Sequence, residues 1–478
     1  MSTTEGTPPR VAESVERFGY SQELSRRLTF TDLLVYGLIF MVPIAPFGVF
    51  GAVYSGSGGM VALAYAIGMA GMAFTALSYA EMARAFPMAG SVYTYAGRGL
   101  APAVGFLAGW VILLDYVLVP ALLYLVAGVA MSSFLPAVPV WAWVVLFIVL
   151  NTVVNYFGIE TTARVNKVML VGELIVLAIF LVVGIGALLA GRGQGFSFTP
   201  LYNPETFSLG VVFSAVSLAV LSFLGFDGIS TLAEENRQGA RQVGRAMVAA
   251  LVLAGTLFIV QTWVASLLVP DPARLLAEGD PGGTAFYDAA EVAGGAWLSV
   301  LTAVTTAVAW GFANALAAQV ATSRLLFAMA RDGQLPSFLA RIDPRRRVPV
   351  GAILLVAAVS LAVGIFMARR ENAITELGTL VNFGALTAFL LLHLAVMNHY
   401  LRRHPQARSL GKHLVVPVCG LLILGFVVYQ ANVAAQRAGL TWLALGVLVL
   451  LGLYLTGRRP TLAGLDRDAV DDDEGART

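Results

Sequence analysis

Apolar runs near 20 residues long, separated by short polar stretches, recur along nearly the whole chain. A helix of about 20 apolar residues is what the hydrocarbon core of a bilayer requires. The runs have cores at Phe30–Tyr54, Met60–Ala83, Ala103–Met131, Val140–Phe157, Val168–Ala190 and Leu209–Leu232. They continue at Val243–Val269, Trp297–Ala328, Val348–Met367, Ile374–Met397, Leu414–Ala434 and Leu440–Thr456. The pattern predicts an all-α polytopic membrane protein with about 12 transmembrane helices.

Charge orients these spans. With the N-terminus placed in the cytoplasm, 25 of the 30 lysines and arginines fall in inner loops and tails. Only Arg192, Arg274, Arg369, Arg370 and Arg437 fall outside. That is a strong positive-inside bias, and an odd number of spans would scramble it. The first 29 residues are polar and charged with no short apolar run, so the first span is expected to direct insertion itself. The acidic end around Asp471, Asp472, Asp473 and Glu474 is expected to be a solvated tail.

Composition agrees and adds exclusions. Hydrophobic residues make up 58%, charged residues 12%, and mean hydropathy is +0.80, too apolar for a soluble domain. Cys419 is the single cysteine, so neither a disulfide within the chain nor a cysteine metal site is expected. No histidine precedes His393, and no phosphate-binding glycine loop or Ser/His pair appears. A reactive centre would want such groups, so an enzyme is disfavoured, and no catalytic residue, metal or cofactor is expected. A sensor would usually append a folded soluble domain, and both tails are short. Gly105 and Gly109 make a GxxxG pair expected to pack helices. The outer loop Pro270–Gly295 is expected either to cap the outer mouth or to serve as a solvated connector.

Two spans carry helix breakers near mid-membrane. The first contains Pro43, Ile44, Ala45, Pro46, Phe47 and Gly48; the sixth contains Ser222, Phe223, Leu224, Gly225, Phe226, Asp227 and Gly228. Proline removes a backbone donor and clashes with the preceding turn. Freed backbone groups in lipid cost several kcal/mol unless protein or a cavity satisfies them. Breaks at matching positions of two halves point to a transporter site.

Three segments resemble the amino acid–polyamine–organocation permeases. They are Phe86-Pro87-Met88-Ala89-Gly90-Ser91-Val92-Tyr93-Thr94-Tyr95, Ser222-Phe223-Leu224-Gly225-Phe226-Asp227, and the run from Ser323-Arg324-Leu325-Leu326-Phe327 to Gly333-Gln334-Leu335-Pro336. Leu113-Leu114-Asp115-Tyr116 and Val381-Asn382-Phe383-Gly384-Ala385-Leu386 resemble, within that family, the bacterial putrescine importers. The resemblance implies a LeuT-type fold with alternating access. It would divide the chain into an N-terminal tail (1–29), a first five-helix repeat (30–190), a second, inverted repeat (208–398), two trailing helices (411–457) and a C-terminal tail (458–478). It implies an inner-membrane importer of a small organic cation such as putrescine, coupled to protons. The alternative is an amino acid permease, coupled to protons or sodium or working as an exchanger.

The expected substrate-binding residues are Pro43, Ile44, Ala45, Pro46, Asp115, Phe223, Gly225, Phe226, Asp227 and Trp310. Amino-acid carriers of this family usually place a glycine-rich turn in the first span, where Pro43 and Pro46 here remove two donors. Asp115, Glu173 and Asp227 lie deep in spans three, five and six, where a carboxylate is paired, protonated or lining a polar path. Asp115 is expected to face the cavity or a neighbour such as Tyr116. Asp227 is expected either to meet substrate or to bond the free backbone of its break. Glu173 and Asp227 are the candidate proton carriers; a bound sodium ion, or a hydrogen bond between spans five and eight, are the other readings of Glu173. Asp32, Glu81 and Lys167 are expected to reach water at the inner ends of their helices, and Trp110, Tyr124 and Trp310 are candidates for cation–π contact.

The charge count makes a direct prediction. In a Cys419→Ser background, Arg345→Cys will react with a membrane-impermeant thiol reagent only after the cell is opened. Labelling of that position from outside intact cells would overturn the topology.

Overall fold

The chain was analysed as a computed structural model describing residues 26–135, 137–280, 283–370, 373–430 and 433–457, with Phe18, Leu24, Pro460 and Leu462. The acidic C-terminal segment and most of residues 1–25 lie outside these. Eighteen α-helices follow one another among the described residues. They are α1 (Phe30–Met41), α2 (Pro46–Gly56), α3 (Val61–Ala85), α4 (Ser91–Gly99), α5 (Pro102–Phe134), α6 (Val140–Tyr156), α7 (Ile159–Leu189), α8 (Leu209–Ala219) and α9 (Gly228–Thr231). Then come α10 (Ala240–Leu267), α11 (Pro272–Glu278), α12 (Ala285–Gly294), α13 (Ala296–Val308), α14 (Ala315–Arg331), α15 (Val350–Met367), α16 (Ala373–Met397), α17 (Val416–Gln430) and α18 (Val433–Leu455).

Local sequence explains several boundaries. Thr29 and Asp32 form a reciprocal capping box that starts α1. Pro46 and Pro102 sit in first turns, where a missing N–H costs nothing. Helix α7 begins nine residues before its apolar core, because the polar stretch Ile159–Lys167 continues the helix at the inner end.

Ten helices among the described residues are long and apolar enough to cross a membrane, and α1 with α2, bent by 52°, makes an eleventh span. The remaining predicted span, α6, has 17 residues. At 1.5 Å per residue it covers roughly 26 Å, just short of a typical hydrocarbon core. Helix α7 exposes Val168 (63%) and Val182 (73%), and α18 exposes Leu448 (63%). Side chains of that kind in continuous bands belong against lipid rather than water.

The helices pack in a pattern that repeats when each span is exchanged for the one five later. Span two (α3) packs on span seven (α10), span four (α6) on span nine (α15), and span three (α5) on span eight (α13–α14). Span one (α1) packs on span seven, and span six (α8) packs on span two. This is the LeuT-type arrangement, and the two broken spans face each other at its centre. The glycine pair on α5 acts as a packing surface: Gly105 meets the backbone of Gly97, and Gly109 meets Tyr93 and Met329.

Two of the three motif segments, Phe86–Tyr95 and Ser323–Pro336, meet Glu234 and Glu235 at one end of the bundle, the inner end by the charge count. Arg324 on α14 donates to Glu235 through Nε at 2.8 Å and Nη2 at 3.3 Å, both side chains almost wholly buried. Arg331 forms a second two-pronged pair with Glu234, whose Oε1 also accepts from the Ala89 N–H. Tyr93 donates to Asp332 at 2.7 Å. The backbone joins in, since Arg27 and Leu28 N–H both donate to Glu235 C=O, and Arg237 N–H donates to Leu28 C=O. Arg324, counted above among the inner-loop charges, is thus a buried helix residue. Lys167 does reach the inner end, where its ammonium lies 2.5 Å from the Asp32 carboxylate.

At the opposite end, the outer end by the same count, the Pro270–Gly295 loop forms α11 and α12 and packs on the second half of span one. Phe286 of α12 stacks on Phe47 at 3.9 Å between ring centres and meets Phe50 and Phe180 edge-on or tilted. Asp271, Glu278, Asp280 and Asp288 with Arg274 line an acidic hollow in this cap. Partial burial holds the Asp288 carboxyl above its ordinary range, the Thr284 hydroxyl opposes this, and the Asp280 and Glu291 charges add to it.

Removing one partner of the inner clamp leaves a buried charge alone, which typically costs about 3–5 kcal/mol. Arg324→Ala should therefore lower the melting temperature in detergent sharply, and Arg324→Met with Glu235→Leu should recover much of the loss. Equal melting temperatures for the single and wild-type proteins would show the pair to be dispensable.

Candidate functional site

The first break begins where α1 ends. Val42 adopts φ +53°, a conformation that a β-branched residue rarely takes. Pro43, Ile44 and Ala45 then form a turn before α2 starts at Pro46. Ala45 N–H donates to Val42 C=O and Phe47 N–H to Ile44 C=O, so these donors are already in use. The Pro43 carbonyl, freed by the break, accepts from Gln261 Nε2 of α10 at 2.8 Å. Of the positions from Pro43 to Phe47, only Ile44 keeps an N–H without such a bond.

The second break follows α8. A tight turn at Val220–Phe223 leads into an extended Leu224 and then Gly225 at φ +117°. That φ belongs to glycine, and a Cβ there would also lie 2.8–2.9 Å from the Phe40 backbone. Asp227 closes the gap. Its Oδ1 accepts from Gly225 N–H at 3.3 Å and its Oδ2 accepts from Tyr116 Oη at 2.7 Å. The carboxylate thus caps the unwound backbone of its own span.

Between the breaks lies a cavity with about 40 Å³ of room for the centres of water-sized groups. It is narrow, and slim groups fit it best. Of the predicted residues, Ala45, Asp115, Gly225 and Trp310 line it. The structure adds Phe40 and Met41 of α1, Val119, Leu122 and Leu123 of α5, Leu221, Ser222 and Leu224, and Asn314. The α5 residues follow helical spacing from Asp115, so the sequence carried that signal. Asn314 had none, because its place depends on a π-helical turn at Ala309–Asn314.

The other predicted residues lie around the cavity rather than on it. Phe223 packs with Tyr65 and Phe258, and Phe226 with Tyr79 and Phe389. Ile44 is fully buried, and Pro46 opens α2. Trp310 rests on Gly48, whose missing side chain makes room for the indole. The other two cation–π candidates are placed elsewhere. Trp110 stacks on Trp442 at 4.6 Å, each indole N–H donating to the other residue's carbonyl, while the Tyr124 hydroxyl accepts from Asn151.

Asp115 is buried, yet no protein group among the described residues hydrogen-bonds its carboxylate, and no lysine, arginine or histidine lines the cavity. Glu173 lies outside the cavity lining on α7. It is 3% exposed, and neither carboxylate oxygen has a partner among the described residues. The hydrogen bond between spans five and eight considered for it above is thus not made here.

Two broken spans around a narrow cavity inside a bundle of membrane helices are the architecture of a permease. The chain belongs to the amino acid permease family, whose model, described as "Amino acid permease", matches residues 31–454. It is 33% identical over 445 residues to the low-affinity putrescine importer PlaP of Escherichia coli (strain K12), covering 92% of this chain and 96% of that one. It is 26% identical over 461 residues to the branched-chain amino acid permease BcaP of Bacillus subtilis (strain 168), covering 91% and 94%. It is likewise 26% identical over 478 residues to a methylthioribose transporter of the same organism, covering 94% and 97%. The protein is a multi-pass inner-membrane permease with a small-molecule substrate.

The Gly225 geometry yields a prediction with an internal control. Gly225→Ala combines an unfavourable φ with a backbone clash and should reduce transport at least about tenfold, as strain of a few kcal/mol at a functional break would. Gly172→Ala, in open space on α7, should change it less than twofold. Equal activity of the two variants would remove the second break from the working mechanism.

Proposed function

We propose that this permease imports a short diamine such as putrescine by alternating access, with Asp115 as the partner of one ammonium group and Glu173 as the carrier of a coupling proton. The observation that carries the proposal is the Asp115 carboxylate, buried at the cavity wall without a hydrogen-bond partner. A desolvated carboxylate is costly alone, and an ammonium ion removes that cost. The narrow apolar walls suit an unbranched alkyl chain. The first-span break is a poor carboxylate cradle, since Pro43 and Pro46 lack N–H groups and Ala45 and Phe47 spend theirs locally. The relative PlaP, named a putrescine importer, supports the same substrate.

Glu173 supports the coupling role through its isolation. Lys167, the nearest basic residue along α7, is held by Asp32. A proton or a bound cation would relieve the buried Glu173 carboxylate, and proton exchange between the two sides would then accompany transport. Asp227, the other candidate, holds the second break together through Tyr116 and Gly225, so its charge and the shape of the break are linked. The termini are assigned to the cytoplasm, and residues 30–190 and 208–398 to two inverted repeats that rock against each other.

A second reading, an amino acid permease, has its own support. Trp310, on the cavity wall, has an indole N–H without an acceptor among the described residues, a donor that a carboxylate would satisfy. The branched-chain permease relative points the same way.

Uptake into liposomes separates these readings. Putrescine uptake should follow an imposed pH gradient. Asp115→Asn should weaken putrescine binding by more than about tenfold, the usual cost of truncating a desolvated charge pair. Glu173→Gln should abolish gradient-driven uptake and spare exchange. Competition by neutral amino acids at micromolar levels, with none by putrescine, would overturn the substrate. Full dependence on sodium, with no effect of a protonophore at fixed membrane potential, would overturn the coupling.

A further inference from the structure

Span four ends on aromatic residues. Helix α6 closes with Tyr156, Phe157 follows it, and both rings are exposed. Exposed aromatic rings at the end of a membrane helix belong where bilayer meets water. The loop from α14 to α15 comes to the same place. Its run Arg341–Arg347 holds four arginines, Arg341, Arg345, Arg346 and Arg347, against one acid, Asp343.

This run is held in shape. Asp343 Oδ1 accepts from the N–H groups of Arg345 at 2.9 Å and Arg346 at 2.7 Å, and Asp343 N–H donates to Val348 C=O at 3.0 Å. The Arg346 guanidinium carbon lies 4.3 Å from the centre of the Tyr156 ring, and its Nη1 donates to the Tyr156 hydroxyl at 3.2 Å. This cation–π contact and hydrogen bond tie the loop to the end of span four. Arg341 and Arg345 are exposed, and their guanidinium groups make no ion pair or hydrogen bond among the described residues.

A surface cleft lies between these elements, with about 380 Å³ of room for the centres of water-sized groups. Tyr156 lines it from α6, Phe338 and Arg341 from the loop, and Val350 from the start of α15. Asp343 is the one acid in the lining, and its Oδ1 is already spent on two backbone N–H groups. An apolar track continues from the cleft along the membrane. On α6, Val149 and Val153 are exposed at helical spacing from Tyr156, and on α15 Leu354 and Leu361 follow Val350 in the same way. The two helices pack on each other, so the track runs along both.

We propose that this cleft is a headgroup site for an anionic phospholipid, with Arg341 on its phosphate, Arg345 and Arg346 adding positive charge at the rim, and the acyl chains on the α6–α15 track. A phosphodiester offers two oxygens that match the guanidinium fork. Basic pockets beside membrane helices favour acidic lipids, each charge near the surface raising affinity about fivefold. The apolar track beside the arginines suits a lipid better than a soluble phosphate. A bound lipid joins the end of span four to the loop before span nine.

The test is titration of purified, delipidated full-length protein in a neutral detergent. The probes are phosphatidylglycerol, phosphatidylcholine with the same chains, and glycerol phosphate, and binding is read by native mass spectrometry and by the rise in melting temperature. The wild type should bind phosphatidylglycerol about tenfold more tightly than phosphatidylcholine. Arg341→Gln with Arg345→Gln should weaken phosphatidylglycerol binding by more than about tenfold, the loss of two such charges. Arg402→Gln with Arg408→Gln removes the same charge from exposed positions outside the cleft, and should change binding less than about twofold. Equal losses in the two pairs would make the attraction a general effect of surface charge and overturn the site. A wild type without preference for phosphatidylglycerol would overturn it as well. Displacement of phosphatidylglycerol by an equal concentration of glycerol phosphate would assign the cleft to small anions and overturn the lipid.

Discussion

Everything at the centre of this protein follows from unpaired backbone inside a membrane. Two of its spans unwind where no bulk water can reach, and each freed N–H or C=O must find a partner or face a cavity. Gln261 takes the Pro43 carbonyl, and Asp227 takes the Gly225 N–H. What they leave uncovered becomes the wall of the cavity. The π-helical turn of span eight repeats the solution a third time, with Asn151 taking the Gly311 carbonyl. Several buried polar side chains thus repair broken backbone, and buried groups without a partner raise a different question.

Asp115, Asn314 and Glu173 are three of these among the described residues. Asp115 and Asn314 share one cavity, and Glu173 lies apart on α7. Spatial separation of this kind suits a transporter, since substrate and coupling ion can occupy different places while both influence the same moving spans. The bond from Tyr116 to Asp227 ties the second break to the helix that carries Asp115.

The segments that identified the family do different work. Arg324, Arg331, Glu234, Glu235 and Ala89 form a buried clamp at the inner end, joining span six, span eight and the loop after span two. Charges this deeply buried are tolerated because each is matched by two-pronged hydrogen bonds. The stacked rings of Phe47, Phe286 and Phe180 close the outer end by dispersion and burial instead, which restrains without charge.

The spans and the two breaks were legible in the sequence, because each follows from local chemistry. Apolar length marks a span, and Pro43, Pro46 and Gly225 mark broken helix. Asp115 and Glu173 were legible as exceptions, since a carboxylate in an apolar run needs a reason. Their surroundings were not, because a hydrogen bond between residues 111 positions apart, such as Tyr116 to Asp227, has no local signature. Trp110 shows the limit plainly. It has the same composition-level claim to a binding site as Trp310, yet it stacks on Trp442 while Trp310 reaches the cavity. Asn314 shows it from the other side, since one extra residue in a helical turn decides which way a helix face points, and only the packing of α6 against span eight holds that turn in place.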